Sequence, residues 1–289
     1  MDNLNALLNV KNDIKSALKT WTESDITIPF VQYADIIRSM PNAVFNELRT
    51  NKLYNWMTFS ESTADKSAFE QFDYSDKVYM EYMFSDCKKL TESPIITSSP
   101  VKCTRMFQGC TSLTKVNYFY TSKCDWFVDM FNGCTSLTEL PKFKFGKMYA
   151  SNPTGPVITR MFKNCKSLTS IEFEFKNGIY ITGLDETFYG CSNLTTLGLI
   201  KTYQDFSEYK AFYGCSNLTN VAGFENMGYN LDLSYCPLLT FDSLKNIIYK
   251  MAMHQGSSFA VLKLHKDAAA RLTDALITVA TDKNWKISY

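Results

Sequence analysis

A nine-residue string recurs along this chain and constrains its fold more tightly than any other feature. MFSDCKKLT (83–91), MFQGCTSLT (106–114), MFNGCTSLT (130–138), MFKNCKSLT (161–169), TFYGCSNLT (187–195) and AFYGCSNLT (211–219) are one motif written six times. A worn copy, LDLSYCPLLT (231–240), keeps Cys236, Leu239 and Thr240. The Cys returns at intervals of 21 to 31 residues. At such a period one unit buries its apolar side only by stacking on the next. Phe84, Phe107, Phe131, Phe162, Phe188 and Phe212 hold one slot, three residues before the Cys. Asp86, Gly109, Gly133, Asn164, Gly190 and Gly214 stand just before it, and these residue types tolerate the left-handed backbone that ends a helical turn. The Leu three residues after the Cys opens a strand. IEFEF (171–175) then sets Ile171, Phe173 and Phe175 on one face and Glu172 and Glu174 on the other. Each copy predicts a helical turn, a tight corner and one strand of a parallel sheet. About seven strands at ~4.8 Å give a slab roughly 30–35 Å long.

The chain has nine Cys, and seven of them (Cys87, Cys110, Cys134, Cys165, Cys191, Cys215, Cys236) fill the motif slot. A repeated position is a packing position, and buried Cys behaves as a small hydrophobe. The odd total argues against complete pairing, and without a CxxC no metal site is expected. Stacked, reduced thiols are expected.

The motif resembles the BspA-type leucine-rich repeats of Bacteroides and related surface proteins. It is also similar to the Met-Phe-x-x-Cys-x-x-Leu repeats of Mycoplasma-type surface lipoproteins. The lead-in FDYSDKVYMEYMFSDC (72–87) carries the second likeness in Asp73, Ser75, Val78, Met80, Met83, Phe84 and Cys87. The resemblance spans about 72–240 and implies an α/β repeat fold, a leucine-rich-repeat solenoid of about seven rungs. It departs between Cys134 and Cys165, where GKMYASNPTGP (146–156) is predicted to bulge as a loop.

Solenoids need caps at both ends. At the C-terminus (241–289), FDSLKNIIYKMA (241–252) reads as an amphipathic helix, AVLKLH (260–265) as a strand, KDAAARLTDALITVA (266–280) as a helix and NWKISY (284–289) as a strand. This α/β cap resembles the closing module after such repeats in gut Bacteroidales and phage proteins. Residues 41–71 are expected to link and cap the first copy. In the N-terminal helical segment (1–40), Leu7, Val10, Ile14, Ala17 and Trp21 fall on an a/d seam of about two heptads. That seam suits a helix packed on its own chain, or one for self-association or docking. NVKNDIKSALKT followed by PFVQYADIIRSM is similar to lead segments of fibre proteins of phages infecting gut Bacteroidales. No secretory signal is legible at the N-terminus, and no apolar run approaches a membrane span.

Catalytic constellations are thin, so no catalytic, cofactor-binding or metal-binding residue is expected. The only histidines, His254 and His265, fall in the C-terminal cap, the first as a solvated loop residue and the second as a helix cap. Glu172 and Glu174 would sit ~6–7 Å apart on one strand, but glycosidic carboxylates face each other across a cleft. A polar outer face explains both. Net charge is +1, and the alternation of Lys142 and Lys144 with Phe143 and Phe145 is that of a half-buried strand, so no nucleic acid is expected. The chain is rich in rings, with 17 Tyr, 21 Phe and 4 Trp. Tyr118, Tyr120, Trp126, Tyr149, Tyr203, Tyr209 and Tyr213 read as inter-motif residues and are the candidate contacts for a protein or glycan ligand. The expectation is a non-enzymatic binding protein, homo-oligomeric as a dimer or trimer. It would be a phage virion fibre or decoration, docked to other virion proteins and touching a host-surface protein or glycan. The alternative is a bacterial cell-surface adhesion module.

Overall fold

The computed structural model describes residues 60–62, 66–70, 74–75, 79–145 and 155–289. The seam at Leu7, Val10, Ile14, Ala17 and Trp21, most of the 41–71 linker, and nearly all of the 146–156 loop lie outside the described residues.

The motif does not wind into a helix. Its turns close at three residues, with Met106 N–H donating to Cys103 O (3.2 Å), Cys110 to Phe107 O (3.2 Å) and Leu113 to Cys110 O (3.1 Å). The donors in between cross to the next copy: Arg105 to Val128 O (2.9 Å), Phe107 to Met130 O (2.9 Å) and Gly109 to Asn132 O (2.8 Å). Two left-handed residues per copy produce this division. One is the residue before the Cys, as expected, with φ from 57° at Asp86 to 82° at Gly133. The other lies four residues earlier, at Tyr82, Arg105, Asp129, Arg160, Glu186 and Lys210, with φ between 50° and 59°. A left-handed non-glycine residue costs about 1–2 kcal/mol. Here it stops the turn from propagating and directs alternate peptide groups at the neighbouring copy, so the cost is offset by satisfied donors in a buried wall.

Behind that wall the motif Phe rings stack copy on copy, at 5.1 Å (Phe84–Phe107), 5.6 Å (Phe107–Phe131), 5.7 Å (Phe131–Phe162), 6.0 Å (Phe162–Phe188) and 5.4 Å (Phe188–Phe212). The Cys slot is more specific than small and apolar. Five of the seven motif thiols donate to the Phe carbonyl of the preceding copy: Cys110 to Phe84 O (2.9 Å), Cys134 to Phe107 O (3.0 Å), Cys165 to Phe131 O (3.1 Å), Cys191 to Phe162 O (3.0 Å) and Cys215 to Phe188 O (3.1 Å). Alanine would fit the volume and lose the donor, whereas serine would carry a more strongly hydrated group into an apolar slot. All nine cysteines are buried thiols. Burial pushes the Cys87 and Cys191 thiols up to about 12, so the reactive thiolate is scarce at neutral pH. Alkylation by iodoacetamide is expected to be negligible in the native protein and complete in denaturant. Rapid native labelling of several motif cysteines would contradict this packing. The motif Thr has its own task, its hydroxyl donating to the Thr carbonyl one copy back, as Thr138 does to Thr114 O (3.1 Å) and Thr195 to Thr169 O (3.0 Å).

Strands are short and parallel. In the first copies they reduce to isolated bridges, Tyr79–Lys102–Trp126–Val157 in one column and Glu92–Lys115–Glu139 in another. Then come β1 (Phe143–Phe145), β2 (Ser170–Ile171), β3 (Phe173–Phe175), β4 (Ile181–Gly183), β5 (Thr196–Leu197), β6 (Ile200–Ser207), β7 (Asn220–Val221), β8 (Phe224–Glu225), β9 (Leu231–Leu233), β10 (Ala260–Leu264) and β11 (Trp285–Ser288). They form open sheets in the orders β1-β3, β2-β5-β7, β4-β6-β8 and β9-β10-β11. The IEFEF segment is two strands rather than one, because β2 follows β5 and β3 follows β1 in a different plane. Its alternation survives the break: Ile171 and Phe173 are buried, Phe175 is half-buried, and Glu172 and Glu174 face solvent.

The ends are closed differently. Near the first copy, α1 (Lys66–Glu70) sets Phe69 edge-on against Phe84 at 5.4 Å, and Tyr74 packs on the same ring at 6.2 Å. At the other end α2 (Phe241–Lys250) starts at Thr240, whose hydroxyl accepts from Ser243 N–H. The expected helix 266–280 is broken into α3 (Lys266–Ala269) and α4 (Asp274–Asp282). Thr273 is the cause, taking an extended backbone to cap Leu276 N–H, while Arg271 is drawn to Pro237 O (3.0 Å) and Asp267 O (2.6 Å). Lys283 closes α2 from outside by donating to Ile248 O (3.2 Å), Tyr249 O (2.7 Å) and Met251 O (2.7 Å). His265 caps α3 as expected. His254 is not a solvated loop residue: it is half-buried, its Nδ1 lies 2.6 Å from Gly228 O, and its ring stands edge-on to Tyr229.

Candidate ligand-binding surface

The outward side chains of the motif wall fall in columns, because each slot repeats above its predecessor. In the column two residues before the Cys, the later copies carry Lys163, Tyr189 and Tyr213, and in the worn copy Tyr235, one residue before Cys236, packs against its end. Lys163 Nζ lies 4.9 Å over the Tyr189 ring; Tyr189 stacks on Tyr213 at 4.8 Å and 10°, and Tyr213 meets Tyr235 at 4.4 Å and 51°. Tyr213 and Tyr235 are 38% and 42% exposed. The result is a ridge of tyrosines in which Tyr189 and Tyr213 each have a neighbour on both sides along the column. Rings held in this way lose little freedom when a partner lands on them.

Of the sequence candidates, Tyr213 belongs to this ridge, yet it is a motif residue and not an inter-motif one. Tyr189 and Tyr235 were missed, although a Tyr at the same offset in consecutive copies was signal enough to pair Tyr189 with Tyr213. Tyr209, also well exposed, has Lys210 Nζ 4.9 Å over its ring. Tyr203 is half-buried against Tyr180 (5.8 Å, 77°), so packing holds it rather than leaving it free. Tyr118 and Tyr120 form a separate exposed pair, edge to face at 5.5 Å. Beside them, Thr121 exchanges hydrogen bonds with Lys144 (2.9 and 3.1 Å). Trp126 is exposed in the bridge column between Lys102 and Val157. Tyr149 lies outside the described residues. The candidates therefore do not converge on one site.

The charged residues do not make a catalytic pair. Glu172 and Glu174 are exposed and paired to Lys142 (3.2 Å) and Lys144 (3.4 Å), one strand away. Among the described residues no group of three or more His, Cys, Asp or Glu is placed to hold a metal ion. No described helix is long and apolar enough to cross a membrane.

Glu208 is held well above the usual carboxylate range. Burial pushes Glu208 up to about 8, with Asp232 and Asp185 nearby adding repulsion, and its Oε2 is buried with no hydrogen-bond partner among the described residues. The unfolded chain ionises near 4.5, the folded protein near 8, so stability falls as pH rises through that window. Glu208→Gln is expected to melt with the wild type below pH 4 and to exceed it by about 1–2 kcal/mol at pH 9, after allowance for its partial exposure. Parallel melting curves at both pH values would contradict this.

Comparison with known families agrees with the geometry. Residues 49–170 match the profile described as Mycoplasma protein of unknown function, DUF285, and residues 144–249 match, in six copies, the BspA type Leucine rich repeat region. No curated protein matches the chain. The copies from Met161 onward, which stack through their Phe and Cys slots, lie within the match to leucine-rich repeats of the BspA type, and the chain is similar to that type.

Proposed function

We propose that this chain is a non-enzymatic binding protein displayed on an exterior surface, a solenoid of about seven rungs whose tyrosine ridge docks a protein partner. The observation that supports it is the Tyr189–Tyr213–Tyr235 ridge, pre-ordered by stacking and exposed at Tyr213 and Tyr235. The neighbours on both sides of Tyr189 and Tyr213 favour a protein over a glycan, which would need an open face to stack on. A direct test is binding of the labelled chain to intact host cells, before and after treatment of the cells with protease or periodate. Protease-sensitive binding, weakened at least tenfold by combining Tyr189→Ala, Tyr213→Ala and Tyr235→Ala, supports the reading. Binding sensitive to periodate alone would reassign the ligand to glycan, and shortened capsular polysaccharide after incubation would overturn the non-enzymatic reading.

Two carriers fit such a module. A bacterial cell surface accords with the BspA-type match. A phage virion, with residues 1–40 joining copies through Leu7, Val10, Ile14, Ala17 and Trp21 and docking them to other virion proteins, rests on the fibre-like lead segment. A mass-spectrometric inventory of purified particles, set against an envelope fraction, separates the two.

A further inference from the structure

The last strand, β11, is the outermost of the sheet β9-β10-β11, and among the described residues no strand pairs with its outer side. Its register fixes which backbone groups are free. Ala260 pairs with Trp285 and Leu262 with Ile287, and Ala260 N–H donates to Asn284 O (3.1 Å). In a parallel ladder a residue bonds to the two neighbours of its partner, so the N–H and C=O of Trp285 and Ile287 point away from β10. Tyr289 follows directly after β11, and pairing with a second copy would extend the strand through it in the same phase. Beside this edge runs a groove of about 720 Å³ walled by Phe259, Ile277, Trp285, Ile287 and Tyr289, with Lys266 and Lys286 also lining it. Of these, Phe259, Ile277 and Tyr289 are 53%, 41% and 83% exposed. An open edge beside exposed apolar side chains is a combination that soluble chains normally blunt or cover.

We propose that β11 is a self-association edge, pairing antiparallel with β11 of a second copy across a two-fold axis at Ile287. The strand is self-complementary in that register. Ile287 faces its own counterpart, Trp285 faces Tyr289 of the second copy, and all three outward-pointing residues find outward-pointing partners. Lys286 then faces Ser288 of the second copy on the opposite side of the sheet, so the two lysines do not meet. Centring the axis on Lys286 would keep the hydrogen-bonding phase, with Trp285 facing Ile287, but would place lysine against lysine. In the favoured register the two three-stranded sheets join, the apolar grooves of both copies adjoin, and the interface closes on itself as a dimer.

The test is sedimentation equilibrium of the full chain, with the series repeated in a chain carrying Ile14→Asp so that any contact through the N-terminal seam is removed. The expected result is a dimer that survives Ile14→Asp. Ser288→Glu, set opposite Lys286 twice per dimer, should tighten it about fivefold, and Ser288→Lys should weaken it by at least as much. Ile287→Pro, which removes an outward N–H while leaving the bonds to β10 in place, should give a monomer with unchanged circular dichroism. A monomeric Ile14→Asp chain, or Ser288→Glu and Ser288→Lys that fail to shift the equilibrium in opposite directions, would overturn the proposal. Cell binding through the tyrosine ridge is read separately, so failure of one inference leaves the other standing.

Discussion

Leu137→Asp is expected to unfold the repeat array outright. Leu137 is fully buried, and its N–H is held by Cys134 O (3.2 Å) at the turn that launches the next segment. A carboxylate there has no cation to meet and no water, a burden above about 4 kcal/mol and of the order of a whole domain's stability. Neighbouring copies share a continuous Phe and Cys stack, so the damage is not confined to one turn. The control is the double change Glu172→Gln and Glu174→Gln. Both residues are exposed, and their ion pairs with Lys142 and Lys144 are worth at most about 1 kcal/mol each. Thermal melts by circular dichroism should show the first variant unfolded at room temperature and the second close to wild type. A native-like melt for Leu137→Asp would mean that its side chain does not face a core.

Asp129→Asn should cost about 2 kcal/mol, the second largest effect, with a pH signature that marks its origin. Asp129 is buried and accepts two bonds from Arg160 (2.8 and 2.9 Å), one from Arg105 (3.4 Å) and one from Asn132 (2.9 Å). Burial works against its charge, but the bonds from Arg160 and Asn132 prevail and hold the carboxyl below its usual range. Asparagine keeps the shape and tolerates the left-handed backbone (φ 55° at Asp129). The loss is therefore electrostatic, moderated because both arginines are partly exposed. A carboxylate depressed on folding stabilises above its unfolded value near 4, and that contribution disappears as pH falls through the folded value. Urea titrations should show a gap between wild type and variant at pH 7 that narrows below pH 4. A gap unchanged at pH 3 would assign the effect to shape.

What the sequence made legible follows from what repeats in it. Phe131, Cys134 and Leu137 could be placed in a core because each occupies a slot filled the same way elsewhere. The left-handed position at Gly133 was legible because its residue type answers to the backbone. The one at Asp129 was not: the slot holds Tyr82, Arg105, Asp129, Arg160, Glu186 and Lys210, side chains that answer to outward partners such as the Arg105–Tyr82 bond (2.7 Å) and the Lys163–Glu186 pair (2.9 Å). The break at Thr273 was hidden inside a good apolar period, since one capping hydroxyl outweighs a run of alanines. For the candidate surface, Tyr203 and Tyr213 looked alike as letters. Contact with Tyr180 holds the first half-buried, and the stack on Tyr189 and Tyr235 orders the second at the surface, distinctions carried by neighbours many residues away.

The interval between Cys134 and Cys165 is the longest of the series, yet the axis does not register the extra residues. Phe131 and Phe162 still stack at 5.7 Å and 9°, and Gly133 N–H reaches Lys163 O at 2.8 Å, as Gly109 N–H reaches Asn132 O across the shorter interval before it. Pitch is set by the motif wall alone, and sideways excursions leave it unchanged. Lengthening such an excursion costs only the slow logarithm of loop closure, about 0.6 kcal/mol per doubling. A molecule organised in this way can change its flank by insertion while its spine stays constant, and the segment between Phe145 and Gly155 is the natural place to graft foreign sequence.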